Sequence, residues 1–81
     1  MQQFPVLREN QVVLMRAEFN TGHILDENLN LALHDGQIVY TIFDSIDTAL
    51  AAAENIVKNG TIECVIYTKD RELVKYVTPK N

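Results

Sequence analysis

The sequence predicts an α+β fold, a four- or five-stranded antiparallel or mixed sheet carrying one main helix, residues 45–59, on one face. Three observations predict it. Four stretches rich in β-branched and aromatic residues read as strands, and one stretch has the 3-and-4 apolar spacing of a helix with a cap at each end. The 81 residues suffice for a single domain, 1–81, with a small core, because a chain of this size buries only about 60 to 65% of the surface it exposes when unfolded.

Residues 1–10 read as a poorly ordered lead-in marked by Pro5. From Gln11 to Phe19 the chain reads as a strand, with Val13, Met15, Ala17 and Phe19 on one face and Val12 and Leu14 on the other. Asn20-Thr21-Gly22 supplies turn residues that end it.

The stretch Ile24 to Gly36 admits two readings. As a helix over 26–34 it has Asp26 as N-cap, Leu25, Leu29, Ala32 and Leu33 along one stripe, and Gly36 past its end. As a strand it alternates Leu29, Leu31, Leu33 with Asn30, Ala32, His34 and closes through Asp35-Gly36, a favoured hairpin turn. Leu31 falls off the helical stripe and within the alternating set, which favours the hairpin.

Gln37 to Phe43 is β-branched or aromatic on both faces, the pattern of a strand in the middle of a sheet. Asp44 or Ser45 then caps the helix, whose stripe is Ile46, Ala49, Leu50, Ala53, Ile56 and Val57, and Gly60 ends it. Alanines at 49, 51, 52 and 53 leave little bulk, so the helix is expected to lie close against the sheet. Thr61–Thr68 and Glu72–Val77 alternate as a pair of strands joined by Lys69-Asp70-Arg71, and residues 78–81 are expected to fray.

The net charge of -4 is unevenly spread. Between Ala17 and Val57 lie seven acids and no Lys or Arg, while the remainder carries seven bases against four acids. No basic patch of the kind that follows a phosphate backbone is present, so nucleic acid is not an expected partner. No apolar run approaches the roughly 18 residues of a membrane span, and the amino terminus lacks the pattern of a secretory leader. The single Cys64, inside an apolar run, cannot form an intramolecular disulfide, so a cytoplasmic, reducing location is expected.

The chemistry-bearing residues do not assemble into a motif. His23 and His34 match no metal-binding spacing, Cys64 reads as a small buried hydrophobe, and Asp44 and Asp47 are explained by helix capping. The three glycines are isolated, so no phosphate-cradling loop exists. The expectation is therefore no catalytic residue, no cofactor and no metal.

One difficulty points outward instead. A single helix covers one side of a sheet, yet several strands offer apolar residues to both. The expected consequence is a non-catalytic interaction or regulatory module that pairs with a second copy or another protein through its sheet, with Val12, Leu14, Val65, Tyr67 and Tyr76 as candidate contact residues. The alternative is a small-molecule-binding domain with a pocket between helix and sheet, its polar groups drawn from Tyr40, Tyr67 or His34.

Overall fold

A computed structural model describes residues 2–79. Among these residues the elements are β1 (Val12–Glu18), β2 (Ile24–Leu25), β3 (Tyr40–Phe43), α1 (Ile46–Val57), β4 (Ile62–Thr68) and β5 (Leu73–Val77). They form a five-stranded antiparallel sheet with one helix, the α+β arrangement that the residue patterns predict.

The long, apolar β1 is the organising strand. One edge pairs along its whole length with β4, Val12 opposite Thr68 through Glu18 opposite Ile62. The other edge is divided: Val12 to Met15 pair with Phe43 to Tyr40 of β3, and Arg16 and Ala17 pair with Leu25 and Ile24 of β2. β5 completes the sheet beside β4. Because β3 and β4 both run antiparallel to β1, they are parallel to each other with β1 between them, and α1 carries the chain across as in a split β-α-β unit.

Residues opposite one another in a ladder share a face. Leu14 opposes Ile66, and both join Val12 and Cys64 in the core cluster beneath Ala49, Ala53 and Val57 of α1. The two alanines are fully buried, which is the close helix–sheet approach their size permits. Leu50 and Ile56 are only partly buried at the margin, and Ile46 is exposed, so the buried stripe is narrower than the spacing implied.

The helix ends follow local chemistry. The Ser45 side chain accepts from the Thr48 N–H at 3.2 Å, which decides between the two cap candidates. At the other end the Gly60 N–H reaches the Val57 carbonyl at 3.0 Å, and Gly60 has φ 86°, a conformation in which a side chain is strained. The β4–β5 hairpin uses the expected Lys69-Asp70-Arg71 loop, but Arg71 takes the left-handed position (φ 64°) that glycine ordinarily fills. Thr68 Oγ1 supports that turn by accepting from the N–H groups of Asp70 and Glu72.

The segment between β2 and β3 departs from both readings. It is neither a helix over 26–34 nor a regular strand; Leu31 makes a single bridge to Leu25, and Gly36 does not adopt the positive φ of the expected hairpin turn. The strand expected from Gln37 begins at Tyr40, and it lies at the sheet's edge, not in the middle. The reason is that polar side chains capture this backbone before the ladder can. Asp26 Oδ1 accepts from the N–H groups of Asn28 and Asn30, forming a tight turn that places Leu29 at φ 67°. Gln37 Oε1 accepts from the N–H groups of Leu33 and His34, and its Nε2 donates to Asp26 Oδ2 and the Leu31 carbonyl.

Candidate interaction surface

The sheet face away from α1 carries Val13, Met15 and Ala17 of β1, Val65 and Tyr67 of β4, Tyr40 and Ile42 of β3, and Tyr76 of β5, a parity given by the ladder partners. No second helix lies among the described residues to cover it. Part of the cover comes from the chain's own beginning. Within the first ten residues, expected as a loose lead-in, Gln2, Phe4, Pro5 and Leu7 are at least partly covered while Val6 is 99% exposed; Met1 lies outside the described residues.

Phe4 is the anchor. Its ring meets Tyr40 edge-on at 5.5 Å between centroids and Tyr67 at 6.3 Å, while the Arg71 guanidinium sits 5.0 Å from its centroid. Gln2 Oε1 accepts from the N–H groups of both Val39 and Tyr40, blunting the start of β3, and Leu7 is buried. A turn then returns the strap to β1: the Gln11 N–H donates to the Arg8 carbonyl, the Arg8 N–H to Gln11 Oε1, and Asn10 sits at φ 70°. Glu9 pairs with Lys69 at 2.7 Å, which pulls its carboxyl below the ordinary range.

The cover is incomplete. Val13 is fully buried, whereas Met15, Ala17, Ile24 and Val65 are half-buried and Tyr76 is 49% exposed. A shallow cleft of about 290 Å³ remains among Phe4, Met15, Tyr40, Tyr67 and Arg71. The Tyr76 hydroxyl donates to Glu63, and this bond holds the phenol above its ordinary pKa. The open zone is thus an apolar patch with one hydrogen-bonded polar pair at its margin.

The candidate contact residues therefore divide. Val65, Tyr67 and Tyr76 share the outer face, but Val12 and Leu14 are buried on the helix side, because it is their ladder partners Thr68 and Ile66 that share a side with α1. Val13 and Met15 occupy the positions on β1 that those two were expected to hold. Of the ligand candidates, Tyr40 and Tyr67 come together under Phe4, while His34 lies apart in an exposed turn. Cys64 is buried, and burial pushes its thiol up to about 11, so the thiolate needed of a nucleophile is not formed at neutral pH.

Residue patterns missed one buried charge. The Arg16 guanidinium fills the point where β1 changes partner from β3 to β2: Nε donates to the Asp26 carbonyl (3.1 Å), Nη2 to the Val39 carbonyl (3.1 Å) and Nη1 to Thr41 Oγ1 (2.8 Å). Burial lowers its pKa, opposed by the nearby carboxylates of Glu27 and Asp26. Asp26 is itself held below the ordinary carboxylate range, foremost by the Gln37 amide. The available signal was a basic residue at the same inward parity as Val12 and Leu14.

Other concavities lie on the surface, among them one of about 350 Å³ lined by His23, Ile24, Leu31 and Leu33. A cleft of about 430 Å³ at the start of α1 is rimmed by Glu9, Asp44, Asp47, Asp70 and Glu72. A groove of about 620 Å³ runs between α1 and β5, with Leu50, Val57 and Val77 in its lining beside Glu54, Lys58 and Lys75. Among the described residues no group of three or more His, Cys, Asp or Glu is placed to hold a metal, and no helix is long and apolar enough to cross a membrane. Comparison with protein-family models, curated proteins and solved structures finds no match.

Proposed function

We propose that the protein is a small non-catalytic interaction module of a reducing, cytoplasmic compartment that self-associates through the outer face of its sheet. The observation that carries this reading is the partial cover: apolar residues from β1, β2, β4 and β5 remain accessible side by side where the strap stops. The shape suits it, since the molecule measures 33 × 29 × 18 Å and so presents broad faces. An ordinary interface of about 800 Å² per partner would cover about 15% of the 5375 Å² exposed. Face contact is favoured over edge contact because Lys75 sits in the outer strand and the β4–β5 ladder shifts register at Ile66/Tyr67, both of which discourage strand addition.

Sedimentation equilibrium at micromolar concentration tests this. The expected species is a dimer of about 18 kDa, twice the 9.2 kDa chain, and Tyr76→Glu should return it to monomer with its circular dichroism unchanged. A monomer at every concentration overturns the reading. A second reading, binding of a small molecule, draws support from the α1–β5 groove, whose volume falls in the usual range for ligand sites, although neither Tyr40, Tyr67 nor His34 lines it. It predicts that a metabolite raises Tm at fixed protein concentration, and that Leu50→Trp, which fills the groove, abolishes the shift.

A further inference from the structure

We infer that self-association proceeds by strap exchange, residues 2–8 of each copy seating on the outer sheet face of the other; this rests on the self-association reading above. The seat defines its occupant. Tyr40 and Tyr67 receive an aromatic ring, Arg71 lies against that ring, and the paired N–H groups of Val39 and Tyr40 receive a side-chain amide, so the segment that fits is an extended one with an amide two residues before a phenylalanine. Gln2-Gln3-Phe4 is such a segment, and a second copy supplies it as well as the first.

The attachment favours release. Among the described residues, the backbone of residues 2–7 makes no hydrogen bond to the body, so this stretch can leave and re-seat without breaking a ladder. The connection that keeps it on its own body is a tight turn over Arg8 to Gln11, in which Asn10 takes a left-handed conformation. Opening that turn lets Asn10 relax to extended backbone, and short strained hinges are the setting in which segments exchange. The Glu9–Lys69 pair that also closes the turn is solvent-exposed and opposes opening only weakly.

Exchange also accounts for the open zone. Two bodies that trade straps are brought outer face to outer face, which places Met15, Val65 and Tyr76 of each against the other, and the two-fold arrangement closes on itself.

The test uses the full chain, one half isotopically labelled and the other not. Isotope-filtered spectra should show the Phe4 ring of one copy against the Tyr40 or Tyr67 ring of the other, and Phe4→Ala should weaken the dimer by at least about tenfold. A dimer whose Phe4 contacts are all intramolecular, or one that Phe4→Ala leaves unchanged or tightens, overturns exchange while leaving self-association standing. A chain monomeric at every concentration overturns both. Should Phe4→Ala fail to fold, deletion of Glu9 and Asn10 provides the second variant: it makes the turn too short to fold back, so the dimer should tighten, and a monomer from this variant overturns exchange.

Discussion

Replacing Arg16 by Met tests the claim that a buried charge holds the divided edge of β1. The substitution keeps the aliphatic stem and removes three hydrogen bonds, two of them to carbonyls of the buried residues Asp26 and Val39. Bonds from a charged donor are worth about 1.5 to 3 kcal/mol each, but Met also escapes the several kcal/mol that burying a guanidinium costs, so these two quantities largely offset. What remains is the penalty for orphaned acceptors, about 1 to 3 kcal/mol for each buried carbonyl. With two carbonyls and some access for water, Arg16→Met should cost about 2 to 4 kcal/mol, a large share of the roughly 4 to 12 kcal/mol expected for 81 residues. Arg16→Lys should fall between, since one ammonium cannot span three acceptors on three segments. Urea unfolding measures this as a lower midpoint at constant slope, and hydrogen exchange should localise it: amides of Ile24, Leu25 and Tyr40 lose protection before those of Leu14 and Ile66. A Met variant as stable as the parent, as happens when some buried ions are replaced by apolar side chains, would refute the reasoning and assign the junction to packing.

Asp26 gives a pH signature. Its folded pKa is depressed, so its contribution is complete above the ordinary value of 3.8 and is lost as pH falls through the folded value; Asp26→Asn should flatten the acid limb of stability against pH, and an unchanged limb would assign that limb to other carboxylates. Cys64 has the opposite sense: the thiol ionises more readily in the unfolded chain, so stability should fall as pH rises from 9.0 towards about 11, and alkylation at neutral pH should wait for unfolding. Enlarging the helix–sheet contact with Ala53→Leu should cost about 1 to 3 kcal/mol by overpacking, read from the urea midpoint, because Ala53 is fully buried against the sheet. Arg71→Gly relieves a left-handed residue but removes the cation from the Phe4 ring, so it should be near neutral in the parent and stabilising by about 0.5 to 1 kcal/mol in the Phe4→Ala background, a coupling that a double-mutant cycle in urea measures.

Where short-range signals agree, residue pattern and structure agree. α1 is readable because Ser45, the alanine-rich stripe and Gly60 act within a few residues of each other, and β1, β4 and the 73–77 strand are readable because their alternation meets partners of the same kind. Residues 26–39 are not, because their backbone is held by side-chain partners that apolar periodicity does not register: Asp26 takes the N–H groups of Asn28 and Asn30, Gln37 spends both ends of its amide on four groups, and Arg16 reaches in from ten residues upstream of Asp26. The same limit hides the strap. Gln2 and Phe4 act on β3, on Tyr67 and on the β4–β5 turn, each tens of residues away, while locally Pro5 reads only as punctuation.

Along β1 the strap's cover thins, and Ile42 opposite Val13 stays 44% exposed. Val13, beside Tyr67 and Ile42, is fully buried, while Met15 and Ala17, farther along the same face, are only half covered. A face left wholly bare would resemble half a core and hold copies together permanently, whereas one closed throughout would offer nothing to a partner. The present arrangement lies between these limits. The strap shields the aromatic end, where Tyr40 and Tyr67 would otherwise be unpartnered, and leaves open the end where Glu63 and Tyr76 form a polar margin. On the strap-exchange proposal, the strength of association turns on whether the strap stays on its own body or crosses to the next. If self-association proceeds that way, Phe4→Ala changes the affinity and Tyr76→Glu at the open margin keeps the faces apart.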